Sequence, residues 1–145
     1  HGWGFREDGG RLGPLIAETR ALGVRVSLFM DRAPEMMAAA KAVGADRVGL
    51  YTEAYAASRA TSKADAVLKL YAEPARAAQA AGREVNAGHD LSRDNLSAFL
   101  RAVPGVREVS IGHAFVADAL ELGYAAATRE YLQRIDEARN KTAPQ

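Results

Sequence analysis

The pattern Val-x-x-Gly-His occurs twice, as Val85-Asn86-Ala87-Gly88-His89 and as Val109-Ser110-Ile111-Gly112-His113, each time closing an apolar, strand-like run. A histidine exchanges protons near neutral pH, and a preceding glycine lets a ligand come close to the backbone. His89, with Asn86 on the same strand end, reads either as an acid–base group or as a ring that merely bonds a loop carbonyl; the second copy favours chemistry. Gly112-His113 reads as a phosphate cradle in which backbone N–H groups and the N-terminus of a short segment from Val116 to Leu122 face an anion. A glycine that only permits a tight turn is the competing reading. Two histidines lack a third ligand, so no metal is expected. Tyr51, Thr52 and Glu53 end another apolar run, where a hydroxyl or carboxylate could reach substrate, although Glu53 is equally a solvated loop charge. Asp31, ending Ser27-Leu28-Phe29-Met30, is read as a helix cap in preference to a site residue.

Positioning these groups requires alternating strands and helices, and the periodicity gives the order α(βα)₄. A helix around Arg11 to Leu22 carries Leu12, Leu15, Ile16, Thr19 and Leu22 on one face and stops at Gly23. A strand over Val24 to Met30 leads to a helix started by Asp31 and Pro34, striped by Met36, Met37, Ala40 and Val43, and ended by Gly44. Arg47 to Thr52 is the second strand. A polar loop through Ser58 and Thr61 precedes a helix from Lys63 to Ala81, with Val67, Leu70, Tyr71 and Ala78 inward and a possible kink at Pro74. Glu84 to Gly88 is the third strand, and Ser92 caps a helix whose apolar face is Leu96, Phe99, Leu100 and Val103. Val106 to Ile111 is the fourth. Beyond it a short helical turn, a break at Gly123 and a long helix presenting Tyr124, Thr128, Tyr131, Ile135 and Ala138 lead to a frayed Lys141 to Gln145.

Strands apolar on both faces and separated by helices imply a parallel sheet with right-handed crossovers. Four such units are half of an α/β (β/α)₈ TIM barrel, which needs about 250 residues. The 145 residues are therefore expected to form a single domain, 1–145, that supplies the C-terminal half of a TIM barrel whose first half is absent from this chain. Val26, Leu28, Leu50 and Val85 are assigned to the barrel-facing side. Both Gly-His pairs should then leave the same rim, where such folds keep their chemistry.

The charge balance of 19 basic against 18 acidic residues, without a basic block, gives no footprint for nucleic acid. No apolar run approaches the roughly 20 residues of a membrane helix. Absence of cysteine removes thiolate sites and fits a reducing cytosol, hence an expected cytoplasmic location. The chain opens on His1 and not on Met, so a native start is not expected there.

Together, Val24-Arg-Val-Ser-Leu-Phe-Met-Asp31, Gly44-Ala-Asp-Arg-Val48 with Leu50-Tyr-Thr52, Val85-Asn-Ala-Gly-His89 and Ile111-Gly-His113 resemble the C-terminal half of the pyridoxine 5′-phosphate synthase family. The resemblance implies condensation of 1-deoxy-D-xylulose 5-phosphate with 3-amino-2-oxopropyl phosphate to pyridoxine 5′-phosphate, inorganic phosphate and water, with neither metal nor organic cofactor, in a homo-octamer. It places His89 as proton donor and Asp90, Gly112 and His113 at the amino-ketone phosphate. It also exposes a departure, because Gly49 stands where the family pattern usually carries a glutamate that stabilises the transition state. The first-half catalytic histidine and glutamate are missing too, so the isolated chain is expected to be inactive. A non-catalytic half-barrel that binds phosphate or assembles with a partner half is the alternative, and a different phosphate-handling barrel enzyme is a third.

Overall fold

In a computed structural model, which describes residues 2–3 and 5–140, four parallel strands lie in the order β1-β2-β3-β4, so each strand sits beside its predecessor in the chain. The elements are α1 (Phe5–Ala21), β1 (Ser27–Met30), a 3₁₀ turn (Pro34–Met36), α2 (Met37–Ala42), β2 (Arg47–Tyr51), α3 (Glu53–Ser58), α4 (Ala64–Lys69), α5 (Ala72–Ala80), β3 (Glu84–Gly88), α6 (Leu96–Ala102), β4 (Val106–Ser110), α7 (His113–Leu122) and α8 (Tyr124–Asn140). A strand order without reversal, with crossovers of one hand, keeps the connecting helices on one face. A doubly wound sheet reverses and is covered on both faces. The arrangement is that of part of a TIM barrel.

The core shows which face the helices take. Leu28, Met30, Val48, Leu50, Val85 and Ala87 are buried in one cluster with Leu12 and Ile16 of α1, Met37 and Ala40 of α2, Tyr55 of α3, Ala75 and Ala78 of α5, and Leu96 and Phe99 of α6. Burial of each large side chain contributes roughly 1.5–3 kcal/mol relative to exposure. The sequence assignment of Val26, Leu28, Leu50 and Val85 to the barrel-facing side is thus reversed, Val26 packing against the same cluster. Because side chains alternate along a strand, the helix-free face instead carries Ser27, Phe29, Arg47, Gly49, Tyr51, Glu84, Asn86, Glu108 and Ser110. It is mostly polar. Arg47 reaches Glu84 and Glu108, each at 2.5 Å, bridging strands through a charged cluster.

Several boundaries differ from expectation for identifiable reasons. The first strand begins at Ser27, not Val24, and the second ends at Tyr51. The expected helix over Lys63 to Ala81 is two helices, α4 and α5, because Pro74 cannot donate to the Leu70 carbonyl and its ring crowds that carbonyl. Pro74 then falls in the first turn of α5, where a missing N–H costs nothing. Leu70 is turned outward and Tyr71 inward at the junction. The expected polar loop before it contains α3, whose Tyr55 is fully buried. Leu15, Leu22 and Tyr124, expected on apolar faces, are exposed. Gly23, Gly44, Gly82, Gly105 and Gly123 all take positive φ where a helix was expected to stop. The expected fraying over 141–145 lies outside the described residues.

Ahead of α1, the backbone N–H of Trp3 donates to the Phe29 carbonyl at 3.0 Å, laying this short stretch against the outer edge of β1.

Candidate active site

The C-terminal ends of the strands converge on one rim, since Tyr51 pairs with Gly88 and Gly88 with Ser110 in parallel register. Both Gly-His pairs leave that rim, as expected. Gly88 is needed there for packing, because a Cβ on it would lie 3.0 Å from the Ser110 carbonyl oxygen.

His89 follows at once, and both it and Asp90 adopt positive φ, 86° and 58°. Non-glycine residues in this region are held there by their surroundings. Two buried groups do the holding, and a third steadies the neighbouring end of β2. Thr52 places its hydroxyl 2.8 Å from the Gly88 carbonyl and 2.5 Å from that of His89. Asn95 accepts from the Ser92 N–H and donates to the Asp90 carbonyl. Tyr71 donates its hydroxyl to the Tyr51 carbonyl. Thr52 is therefore fully buried and turned to backbone, which corrects the expectation that its hydroxyl could reach substrate. Ser92 does not cap α6 by its side chain; the helix begins at Leu96 after Asn95.

Around the His89 ring lies a chain of polar contacts. The Tyr51 hydroxyl donates to Glu53 Oε2 and lies 3.4 Å from His89 Nε2. His89 Nδ1 is 3.1 Å from Asp90 Oδ2. The Tyr51 and His89 rings are 4.5 Å apart between centroids. Glu53's hydrogen bond, the poor solvation of the phenol and the charges of Glu53, Asp90 and Asp31 push the Tyr51 hydroxyl up to about 12, so it stays protonated at neutral pH. Glu53 is consequently a partner of Tyr51 and not a free loop charge. Tyr51 and Glu53 also line a cavity of about 490 Å³ with Asp31 and Arg32. Asp31 does not cap a helix; its Oδ1 accepts from the Gly2 N–H.

On the neighbouring strand end, Gly112 is the N-cap residue of α7, so this helix begins at His113, three residues before the expected Val116. The first intrahelical bond is Val116 N–H to Gly112 O, leaving the N–H groups of His113, Ala114 and Phe115 ahead of the helical ladder. A Cβ at Gly112 would meet nothing within 4 Å, so the space before this terminus is open. Asp118 of α7 binds Arg93 in the loop after His89 and accepts from Tyr131 of α8, each at 2.8 Å. That pair of bonds fixes α7 relative to the His89 loop. Asn86 sits one pleat below the rim, its amide nitrogen 3.4 Å from Ser27 Oγ.

Gly49 lies on the helix-free face, where a Cβ would stand 3.0 Å from Cδ2 of Phe29. The phenyl ring fills the space beside it. Among the described residues no group of three His, Cys, Asp or Glu side chains could hold a metal ion, and no helix is long and apolar enough to cross a membrane.

Sequence reasoning did not find Asn95 or the Tyr51–His89 contact. Asn95 stands three residues after Ser92, a capping-like spacing that was credited to the serine. Tyr51 and His89 belong to different strands, and only the register joins them.

Comparison with known proteins shows that the family model described as pyridoxal phosphate biosynthesis protein PdxJ matches residues 1–137. A pyridoxine 5′-phosphate synthase of Albidiferax ferrireducens is 61% identical over 140 residues, covering 97% of this chain and 56% of that protein. Proteins of the same name from Xanthomonas oryzae pv. oryzae and Xanthomonas campestris pv. campestris are 52% identical over 132 residues, covering 91% of this chain and 52% of each. The chain thus spans about half the length of the curated relatives it matches.

Proposed function

Because the chain belongs to the pyridoxal phosphate biosynthesis protein PdxJ family, we propose that it supplies the C-terminal half of a closed (β/α)₈ barrel with pyridoxine 5′-phosphate synthase activity. The substrates are 1-deoxy-D-xylulose 5-phosphate and 3-amino-2-oxopropyl phosphate, and the products are pyridoxine 5′-phosphate, inorganic phosphate and water. The whole barrel works in the cytoplasm as a homo-oligomer, without nucleic acid, membrane, metal or organic cofactor.

The observation that carries this reading is the pairing of His89 at the end of β3 with the open N-terminus of α7 at the end of β4. His89 donates protons as the ring closes and water departs. The Asp90 backbone, Gly112 and His113 hold the amino-ketone phosphate, with the amide dipoles of α7 facing the anion. Asp118 and its bonds to Arg93 and Tyr131 keep donor and cradle in register.

In the full-length protein, His89→Asn is expected to lower kcat by about 10² to 10⁴ while leaving KM nearly unchanged, the range typical of a lost proton-transfer group. Steady-state kinetics decides, and an unchanged kcat with a raised KM overturns the assignment. Phosphate soaked into crystals is expected beside Gly112 and His113; an empty loop with the anion elsewhere overturns the cradle.

Gly49 favours a second reading, binding without turnover. Phe29 occupies the space beside a position that supplies no charge. A full-length protein that binds both phosphates but forms no product establishes this second reading.

A further inference from the structure

We infer that Tyr51 is a positioning residue for His89, its O–H held toward Glu53 so that its oxygen can only accept a hydrogen bond from His89 Nε2, while Asp90 accepts from Nδ1. The inference rests on the reading of His89 as proton donor and deepens it.

The directions follow from what each group can do. An ionised carboxylate only accepts, so Glu53 accepts the hydrogen bond from the Tyr51 O–H and leaves the phenol oxygen's lone pairs facing the imidazole. Asp90 Oδ2 also only accepts, and it lies 3.1 Å from Nδ1. A neutral imidazole has one N–H and cannot serve both contacts, whichever tautomer it takes. The doubly protonated ring donates to both. Carrying both protons, the ring is therefore held with Nε2–H toward Tyr51 and Nδ1–H toward Asp90. When substrate displaces the longer Tyr51 contact and takes the proton from Nε2, the neutral ring keeps Nδ1–H on the charged and closer Asp90.

The surroundings make the arrangement specific. His89 and Asp90 are fixed at positive φ, and the tyrosine ring lies against the imidazole, so orientation does not depend on substrate. Tyr51 and Glu53 face the same cavity as Asp31 and Arg32. The titratable and charged groups around the cluster are thus Asp31 at the end of β1 with Arg32 after it, Tyr51 and Glu53 at the end of β2, and Asp90 beside the ring.

The test uses the full-length protein, its two proposed substrates and nitrogen-15 labelled histidine, with the His89 signals assigned by their loss in His89→Asn. Tyr51→Phe is expected to lower kcat about tenfold with KM changed less than about twofold, the scale of one hydrogen bond to a charged group. The His89 Nε2 signal is expected to lose the shift that a hydrogen bond to the Tyr51 oxygen gives it, while Nδ1 keeps its Asp90 partner. Glu53→Gln should change both readouts in the same direction and by less, because the amide no longer fixes the direction of the phenol proton. Unchanged kcat and unchanged ring signals in both variants overturn the inference, as does a raised KM with kcat retained. Should Tyr51→Phe fail to fold, the exposed Glu53→Gln variant decides. If His89→Asn leaves kcat intact, the donor assignment fails, while the ring signals still decide whether Tyr51 orients the imidazole.

Discussion

Gly49 and Phe29 compete for one volume on the helix-free face of the sheet. A side chain at 49 starts 3.0 Å from the Phe29 ring, so Gly49→Glu must displace that ring and forfeit its edge contact with Tyr51. Overpacking of this kind costs about 1–3 kcal/mol. Urea unfolding of Gly49→Glu, Phe29→Ala and the double variant should give a double variant more stable than the two separate losses imply, whereas strict additivity refutes the shared volume. Thr52→Val keeps the shape of a fully buried side chain but removes the proton serving the Gly88 and His89 carbonyls. It should cost about 1–3 kcal/mol in the same assay. Tyr51 offers a titration. Its folded pKa of about 12 exceeds the ordinary value of 10.0. Its stabilising contribution is therefore fully present below pH 10 and is lost as pH rises toward 12. Phenolate absorbance, read as the difference between the native protein and Tyr51→Phe, should rise near pH 12, and Glu53→Gln should move that rise toward 10.

The helices test backbone rules more cleanly than contacts. Gly123 joins α7 to α8 at φ 83° and ψ 149°, a region open essentially to glycine, yet a Cβ there would meet no atom within 4 Å. Gly123→Ala should thus destabilise by about 1–3 kcal/mol through conformation alone, and thermal unfolding measures it; a neutral effect means the junction rotates freely. The same glycine was legible in the sequence, as were all four strands, the parallel architecture and the shared rim of His89 and Gly112-His113, because strand alternation and helix stops are local signals. Less local features were not. The break between α4 and α5 precedes Pro74 by several residues because proline acts on the carbonyl four positions back. The helix Glu53–Ser58 was not legible because Tyr55 is the one large side chain it buries. Reading the runs as apolar on both sides put Val26, Leu28, Leu50 and Val85 on the wrong face, although Ser27, Arg47, Glu84 and Asn86 alternate with them. Tyr51 gained its role only when register set it against His89.

A sheet with helices on one side presents an open face and two outer edges, β1 with Gly2 and Trp3 laid against it and β4, to whatever completes it. In the proposed barrel that completion is the other half. The 145 residues expressed alone should sediment as dimers or larger species and form no pyridoxine 5′-phosphate, whereas a compact, active monomer overturns the half-barrel proposal. The order of the strands also sets a folding timetable. Ser27 pairs with Arg47, Arg47 with Glu84 and Val85 with Val106, each separated by roughly 20 to 40 residues, so every ladder closes a short loop. The contact of Trp3 with Phe29 extends that rule toward the N-terminus. A chain built this way can zip strand by strand as it leaves the ribosome, each new strand finding its template already formed. If the proposed barrel closes, the partner of the outer edge of β4 comes from a more distant segment, and the slow step of folding is expected at that seam.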